Sequence, residues 1–192
     1  MSDAASNDAV EEAAADAALM ARVREGDEQA FAELMGRWEL PVKRLVARIV
    51  FNAIDAEELA QETMVRVWQQ RGKFRDGAAV RPWIFAIAVN LARNRLRWWR
   101  RRPMVALEAW SELAAPVGDE GSAGLERDER AAAVRAAVAA LPLELREALV
   151  LFEFEQVAQA EIAATLGCTV KAVESRVARA REKLRIALRR WT

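Results

Sequence analysis

Glu161-Ile162-Ala163-Ala164-Thr165-Leu166-Gly167-Cys168-Thr169, running into an arginine-rich stretch that opens at Val170, is the part of the chain from which the fold can be read. Gly167 can adopt the positive φ that ends a helix, and Thr169 can cap the free amides of the next one. Two helices are thereby set at an angle, as in a helix-turn-helix, which points to DNA. In the second helix Val170, Val173, Val177, Ala180, Leu184 and Leu188 recur at spacings of three or four and fall along one stripe. Lys171, Ser175 and Arg179 lie opposite, with Arg176 and Lys183 on the flank. The early residues of such a helix face base edges, so Thr169, Lys171, Ala172, Ser175 and Arg176 are the candidate readers. Arg179, Lys183 and Arg185 lie farther along and suit phosphate. An ordinary solvated helix with a basic face is the competing reading, and the glycine turn with its short first helix weighs against it.

Composition sets the outer bounds. A chain of 192 residues, 53% of them hydrophobic, can build one large or two small cores. Its 29 basic and 29 acidic residues cancel in total but not in position. Residues 1–20 carry Asp3, Asp8, Glu11, Glu12 and Asp16 and no basic residue, and residues 104–126 carry Glu108, Glu112, Asp119, Glu120 and Glu126 and none either. Residues 90–102 hold six arginines. Two basic surfaces joined by an acidic strap suit a protein that grips DNA at two places. With one cysteine and no histidine, an internal disulfide, a Cys/His zinc site and a catalytic histidine are all excluded. Neither a catalytic residue, a metal site nor a cofactor is therefore expected. Cys168, in the turn, is expected to pack as a small apolar residue. No signal peptide or long apolar run is evident, so a cytoplasmic location is expected.

Strand signals are nearly absent and alanine- and leucine-rich helical periodicity dominates, so the class is all-α. A disordered acidic start is expected over residues 1–17. Gly26 then ends one helix and Asp27 caps the next, whose buried face is Phe31, Leu34, Met35 and Trp38. Pro41 permits a break or a fresh first turn before Val42, Leu45, Val46, Ile49 and Val50 continue the apolar stripe. Asp55 is read as the cap of a helix over 56–70 with Ala56, Ala60, Met64 and Val67 on one side. Glu57, Glu58, Gln61 and Glu62 crowd its first turns, which suits the helix dipole and equally an acidic docking face.

A further helix takes Pro82 in its first turn and Trp83, Ile84, Ile87, Leu91 and Trp98 as apolar anchors. On it Asn90, Asn94, Arg97 and Arg101, spaced by four, three and four, share a narrow arc. Asparagine has no strong helix preference. The arc suits hydrogen bonds to bases and charge contact with phosphate, or else is a solvated face. Upstream, Lys73-Phe74-Arg75-Asp76-Gly77 forms a basic aromatic loop that could hold an unstacked base, although Phe74 and Trp83 fit a core as well.

Asp55-Ala56-Glu57-Glu58-Leu59-Ala60-Gln61-Glu62, Val67-Trp68, Phe74-Arg75 and Trp83-Ile84-Phe85-Ala86-Ile87-Ala88-Val89-Asn90-Leu91-Ala92 together resemble region two of the extracytoplasmic-function sigma factors. Leu141-Pro142-Leu143-Glu144-Leu145-Arg146-Glu147-Ala148-Leu149-Val150-Leu151, Ala160-Glu161-Ile162-Ala163 and Ser175-Arg176-Val177-Ala178-Arg179-Ala180-Arg181 resemble region four. The blocks occur in the family's order and cover most of residues 19–190. The resemblance implies two small helical domains joined by a flexible acidic linker: region two over 18–102, the linker over 103–127 and region four over 128–190. It implies a transcription initiation factor that binds core RNA polymerase through Asp55, Glu58, Gln61 and Glu62. Asn90 and Asn94, with Arg97 and Arg101, would meet the minus-10 element, and the loop from Phe74 and Arg75 to Val80 would take up a flipped base of the melted strand. The helix over 170–185 would read the minus-35 element as duplex. The acidic linker would thread the polymerase's RNA exit path, and an anti-sigma factor is implied as a further partner.

The chain departs from the family pattern at Glu155-Gln156-Val157-Ala158-Gln159, where a glycine and serine commonly stand, so the next helix is expected to lack its usual cap. Trp98-Trp99, within the arginine stretch, has no assigned role. The alternative reading of the whole is a free-standing helix-turn-helix regulator that does not associate with polymerase. It lacks an explanation for the acidic helix and the asparagine arc.

Overall fold

The computed structural model describes residues 2–101 and 122–191, with side chains over 11–101 and 128–191. Eight α-helices make up the described chain: α1 (Ser2–Arg24), α2 (Glu28–Val50), α3 (Ala53–Gln70), α4 (Val80–Arg100), α5 (Ser122–Ala139), α6 (Leu143–Leu149), α7 (Gln159–Leu166) and α8 (Val170–Ala187). A π-helical turn (Val150–Phe154) follows α6, and short 3-10 turns follow α3 and α8. The described residues contain no strand.

Helices α1 to α4 form one bundle. Leu34, Leu45, Ile49, Ala60, Val67, Ile84, Phe85 and Val89 fill its centre, each from the apolar stripe of its helix. Gly26, at φ 91°, ends α1, and the Asp27 carboxylate accepts from the amides of Gln29 (2.9 Å) and Ala30 (3.0 Å), as the sequence predicts. Those hydrogen bonds hold the Asp27 carboxyl below its ordinary range, with Arg22 adding to the effect.

Four expectations are corrected. The expected disordered start is helical from Ser2, consistent with its alanine content. Asp16 anchors it by accepting from Arg37 and from the indole of Trp38, each at 3.1 Å. Pro41 does not break α2, which runs through it to Val50. Asn52, not Asp55, caps α3, its side chain accepting from the Asp55 amide at 2.8 Å. Met35 does not join the buried face of α2 and is 36% exposed. The expected acidic linker, 103–127, lies outside the described residues up to 121, and from Ser122 the chain already belongs to α5.

Helices α5 to α8 build a second core around Val138, Leu145, Leu149, Leu151, Ile162, Val173 and Val177. This unit packs directly on the first. Helix α7 lies against α4, and α6 with the following π turn lies against α2. Phe51, at φ 54°, ends α2 in the left-handed region, where few bulky residues sit. Its ring lies 5.4 Å below the Arg146 guanidinium, which also donates to the Ile49 carbonyl at 2.6 Å. The same guanidinium takes the carbonyls of Ala139 and Leu141, so one arginine satisfies the C-terminal acceptors of two helices from different units. Its burial pulls its pKa down, opposed by Glu147.

Candidate nucleic-acid interface

Gly167 closes α7 at φ 64°, and the Thr169 hydroxyl accepts from the Ala172 amide at 3.2 Å. The turn is thus made by the two residues from which the sequence predicts it. Val173, Val177 and Ala180 are buried, Leu184 and Leu188 are half-buried, and Val170 is exposed. The expected stripe therefore begins one turn later, because Val170 stands at the first position of α8, beyond the reach of the core. Thr169, Lys171, Ser175 and Arg179 face solvent, and Ala172 is half-buried beside them. Arg176 is placed differently. It is folded back onto the unit's own surface, paired with Glu144 at 3.4 Å and donating to Cys168 Sγ at 3.5 Å. As expected, α7 lacks a side-chain cap, with Ala158 at the capping position before Gln159.

Asn90, Asn94 and Arg97 on α4, and Arg101 at its C-terminal cap, are all exposed. Arg97 donates to Asn94 Oδ1 at 3.0 Å and Arg93 to Asn90 Oδ1 at 3.5 Å. Each asparagine carbonyl is thereby held by a neighbouring arginine, on a side chain that is exposed and carries two amide donors. Asparagine can pair bidentately with adenine and arginine with guanine or phosphate, so the strip has the donors that base and backbone recognition require.

Phe74, expected on the DNA side, belongs instead to the core: it is 5% exposed and meets Trp83 edge-on at 5.2 Å. A benzyl ring gains more from that burial than a solvated loop offers. Arg75 and Lys73 beside it stay exposed, so the loop keeps its charge without its ring.

Asp55, expected to face polymerase, is 4% exposed. It pairs with Arg95 and accepts from the Trp99 indole at 2.8 Å, fastening α3 to α4. Trp99 thus acquires a role the sequence left open, and Trp98 stands edge-on against it at 5.5 Å. Glu58 is exposed and shares Arg95 at 2.9 Å, Glu62 pairs with Arg66 at 2.6 Å, and Glu57 pairs with Lys43. Arg95 thus serves two of these carboxylates and Arg66 and Lys43 one each, and among the described residues no group of three or more acidic or cysteine side chains could hold a metal.

Beside Gln61 lies a groove of about 520 Å³ that sequence reading missed. Phe31, Met35, Met64, Val65 and Trp68 line it, and Glu28 and Glu39 rim it. Val65 is 47% exposed because it lies off the stripe of Ala56, Ala60, Met64 and Val67, all buried. An apolar residue out of phase with a clear stripe was the available signal.

Residues 34–102 match the family described as Sigma-70 region 2, and residues 131–184 match Sigma-70, region 4. The chain is 34% identical over 180 residues to the RNA polymerase sigma-H factor of Pseudomonas aeruginosa, covering 90% of this chain and 93% of that protein. To the ECF RNA polymerase sigma-E factor of Escherichia coli K12 it is 33% identical over 177 residues, 88% of this chain and 92% of the relative. Among solved structures, CnrH in complex with the cytosolic domain of CnrY superimposes with a TM-score of 0.70 at 28% identity, covering 93% of this chain and 99% of that one. The sigma factor RpoE of Bartonella quintana, solved with the anti-sigma factor NepR, shares the fold with a TM-score of 0.61 at 21% identity, over 83% of this chain and 96% of that one. The chain belongs to the sigma-70 family of transcription initiation factors. Within that family it is an extracytoplasmic-function sigma factor, whose work is promoter-specific initiation.

Proposed function

We propose that the chain binds core RNA polymerase through α3 and directs it to promoters, with α4 on the minus-10 element and α8 on the minus-35 element. The observation that carries the division of labour is the exposed strip of Asn90, Asn94, Arg97 and Arg101 on one unit and the capped, basic α8 on the other. Polymerase docking uses Glu58, Gln61 and Glu62 together with the groove over Met35, Val65 and Trp68. An acidic rim around an apolar floor suits a basic, amphipathic helical partner. Asp55 supports this surface from beneath by holding Arg95, which in turn orients Glu58. Lys171, Ser175 and Arg179 contact the minus-35 duplex directly, and Arg176 does so only after leaving Glu144. Strand opening draws on binding energy: unpairing costs a few kcal/mol and is offset as exposed bases meet the protein. The protein is not an enzyme on this reading, since the carboxylates of α3 are taken up by Arg95, Arg66 and Lys43. No described helix is long and apolar enough to cross a membrane, and we place the protein in the cytoplasm with polymerase. An anti-sigma factor is a further partner, in keeping with the sigma factor RpoE of Bartonella quintana, solved with the anti-sigma factor NepR.

Fluorescence titration of the purified chain against bacterial core polymerase, without DNA, tests the docking. Saturable binding is expected, weakened by Glu62→Lys and by Val65→Glu with the fold unchanged by circular dichroism. Equal affinity of both variants and the parent would remove α3 as the docking helix.

A further inference from the structure

The contact between the two units centres on a charge pair that neither promoter recognition nor polymerase docking uses. Glu147 on α6 is fully buried, and its two oxygens accept from Nε and Nη2 of Arg93 on α4, each at 2.7 Å. Arg93 lies about 60° around the helix from Asn90, at the margin of the exposed strip, and its third nitrogen reaches Asn90. It differs from Arg97 and Arg101 chiefly in being covered by the second unit. A guanidinium fork accepts a carboxylate or a phosphate with the same bidentate geometry.

We propose that Glu147 is a phosphate surrogate: in the closed chain it fills the fork of Arg93, and when the units part that fork passes to the DNA backbone beside Asn90 and Asn94. Domain closure and DNA binding then compete for one arginine. The inference rests on the assignment of α4 to DNA made above. Opening leaves neither ion stranded, because Glu147 becomes hydrated as Arg93 gains its phosphate, whereas deleting one partner in the closed state buries the other unpaired. Arg48 with Glu155 (2.7 Å) and Arg146 with the Ile49 carbonyl join the same two units and part with them. By linkage, whatever factor closure takes from DNA affinity, DNA returns as a bias toward the open chain.

The test uses the full chain without polymerase, a fluorescein-labelled mixed-sequence duplex read by anisotropy across a salt series, and small-angle scattering for overall size. Glu147→Gln is expected to enlarge the radius of gyration and to tighten duplex binding by about tenfold. Arg93→Gln, which leaves Glu147 unpaired in the closed form, is expected to open as well, with a slope of log affinity against log salt shallower than that of Glu147→Gln by about 0.9, the loss of one phosphate contact. Equal slopes in the two open variants would remove Arg93 from the DNA, and an unchanged size in Glu147→Gln would overturn the latch. Should Glu147→Gln misfold, Arg93→Gln tests opening from the half-exposed side, where a compact chain again refutes it. Arg97→Gln/Arg101→Gln in the Glu147→Gln background separates the two layers of the argument. A lower slope there with none from Arg93 defeats the latch alone, and no change from either set defeats the assignment of α4.

Discussion

A carboxylate that is held from two sides inside a helix pair and buried there serves the fold before any partner. Asp55 is such a group, shared between the Arg95 guanidinium and the Trp99 indole. Asp55→Ala is expected to cost about 3 kcal/mol of stability, since it leaves the Trp99 indole without its acceptor and the partly buried Arg95 with only the exposed Glu58. Urea unfolding measures this, and a loss under about 1 kcal/mol would class the residue with exposed pairs instead. Asp27 answers to pH. Its folded carboxyl titrates below its ordinary value, so its contribution is complete above that value and is lost as pH falls through the depressed one. Asp27→Asn keeps an acceptor at the cap without titrating. Between pH 5 and about 3 the melting temperature of the parent should fall further than that of the variant, and parallel curves would deny the cap its charge.

Among the elements, α7, its turn and α8 are legible from sequence because their ends are local. A glycine at φ 64° and a threonine accepting three residues ahead depend on nothing distant. Thr169→Ala should cost about 1 kcal/mol, read by thermal unfolding and by faster amide exchange at Ala172. If exchange there is unchanged, the hydroxyl is not the cap. The stripes of α2, α3 and α4 are legible for a similar reason, being periodic. Misreadings fall where the outcome depends on contacts between elements. Asp55 has the residue type of a cap, yet the partners that claim it are 40 and 44 positions away on α4. Phe74 stands in a basic loop, yet Trp83 draws it inward. Met35 fits the α2 stripe, yet no element covers it, and the groove beside α3 is the result. For the candidate site, the exposed residues of α4 and α8 could be listed from periodicity, but the enclosure of Arg93 and Arg176 by other helices could not.

The whole molecule adds a dependence that neither unit has alone. Glu155 sits where the units meet, and burial pushes its carboxyl upward, against the pull of Arg48. A raised folded value means that its contribution is complete below the ordinary glutamate range and is lost as pH rises through the folded value. Relative to Glu155→Gln, the parent should therefore gain melting temperature as pH falls from neutrality toward the ordinary glutamate value. Scanning calorimetry across that range decides it, and a constant difference would mean that the carboxylate pays no net burial cost. The chain between Arg101 and Ser122 joins the two units, and about 20 residues drawn taut span at most roughly 70 Å. At about 3.4 Å per base pair that length corresponds to some 20 base pairs. Besides holding the units together, the connection is a ruler with a maximum reading: two promoter elements farther apart than this leash and the breadth of the units allow cannot be held by one molecule, whatever their sequence.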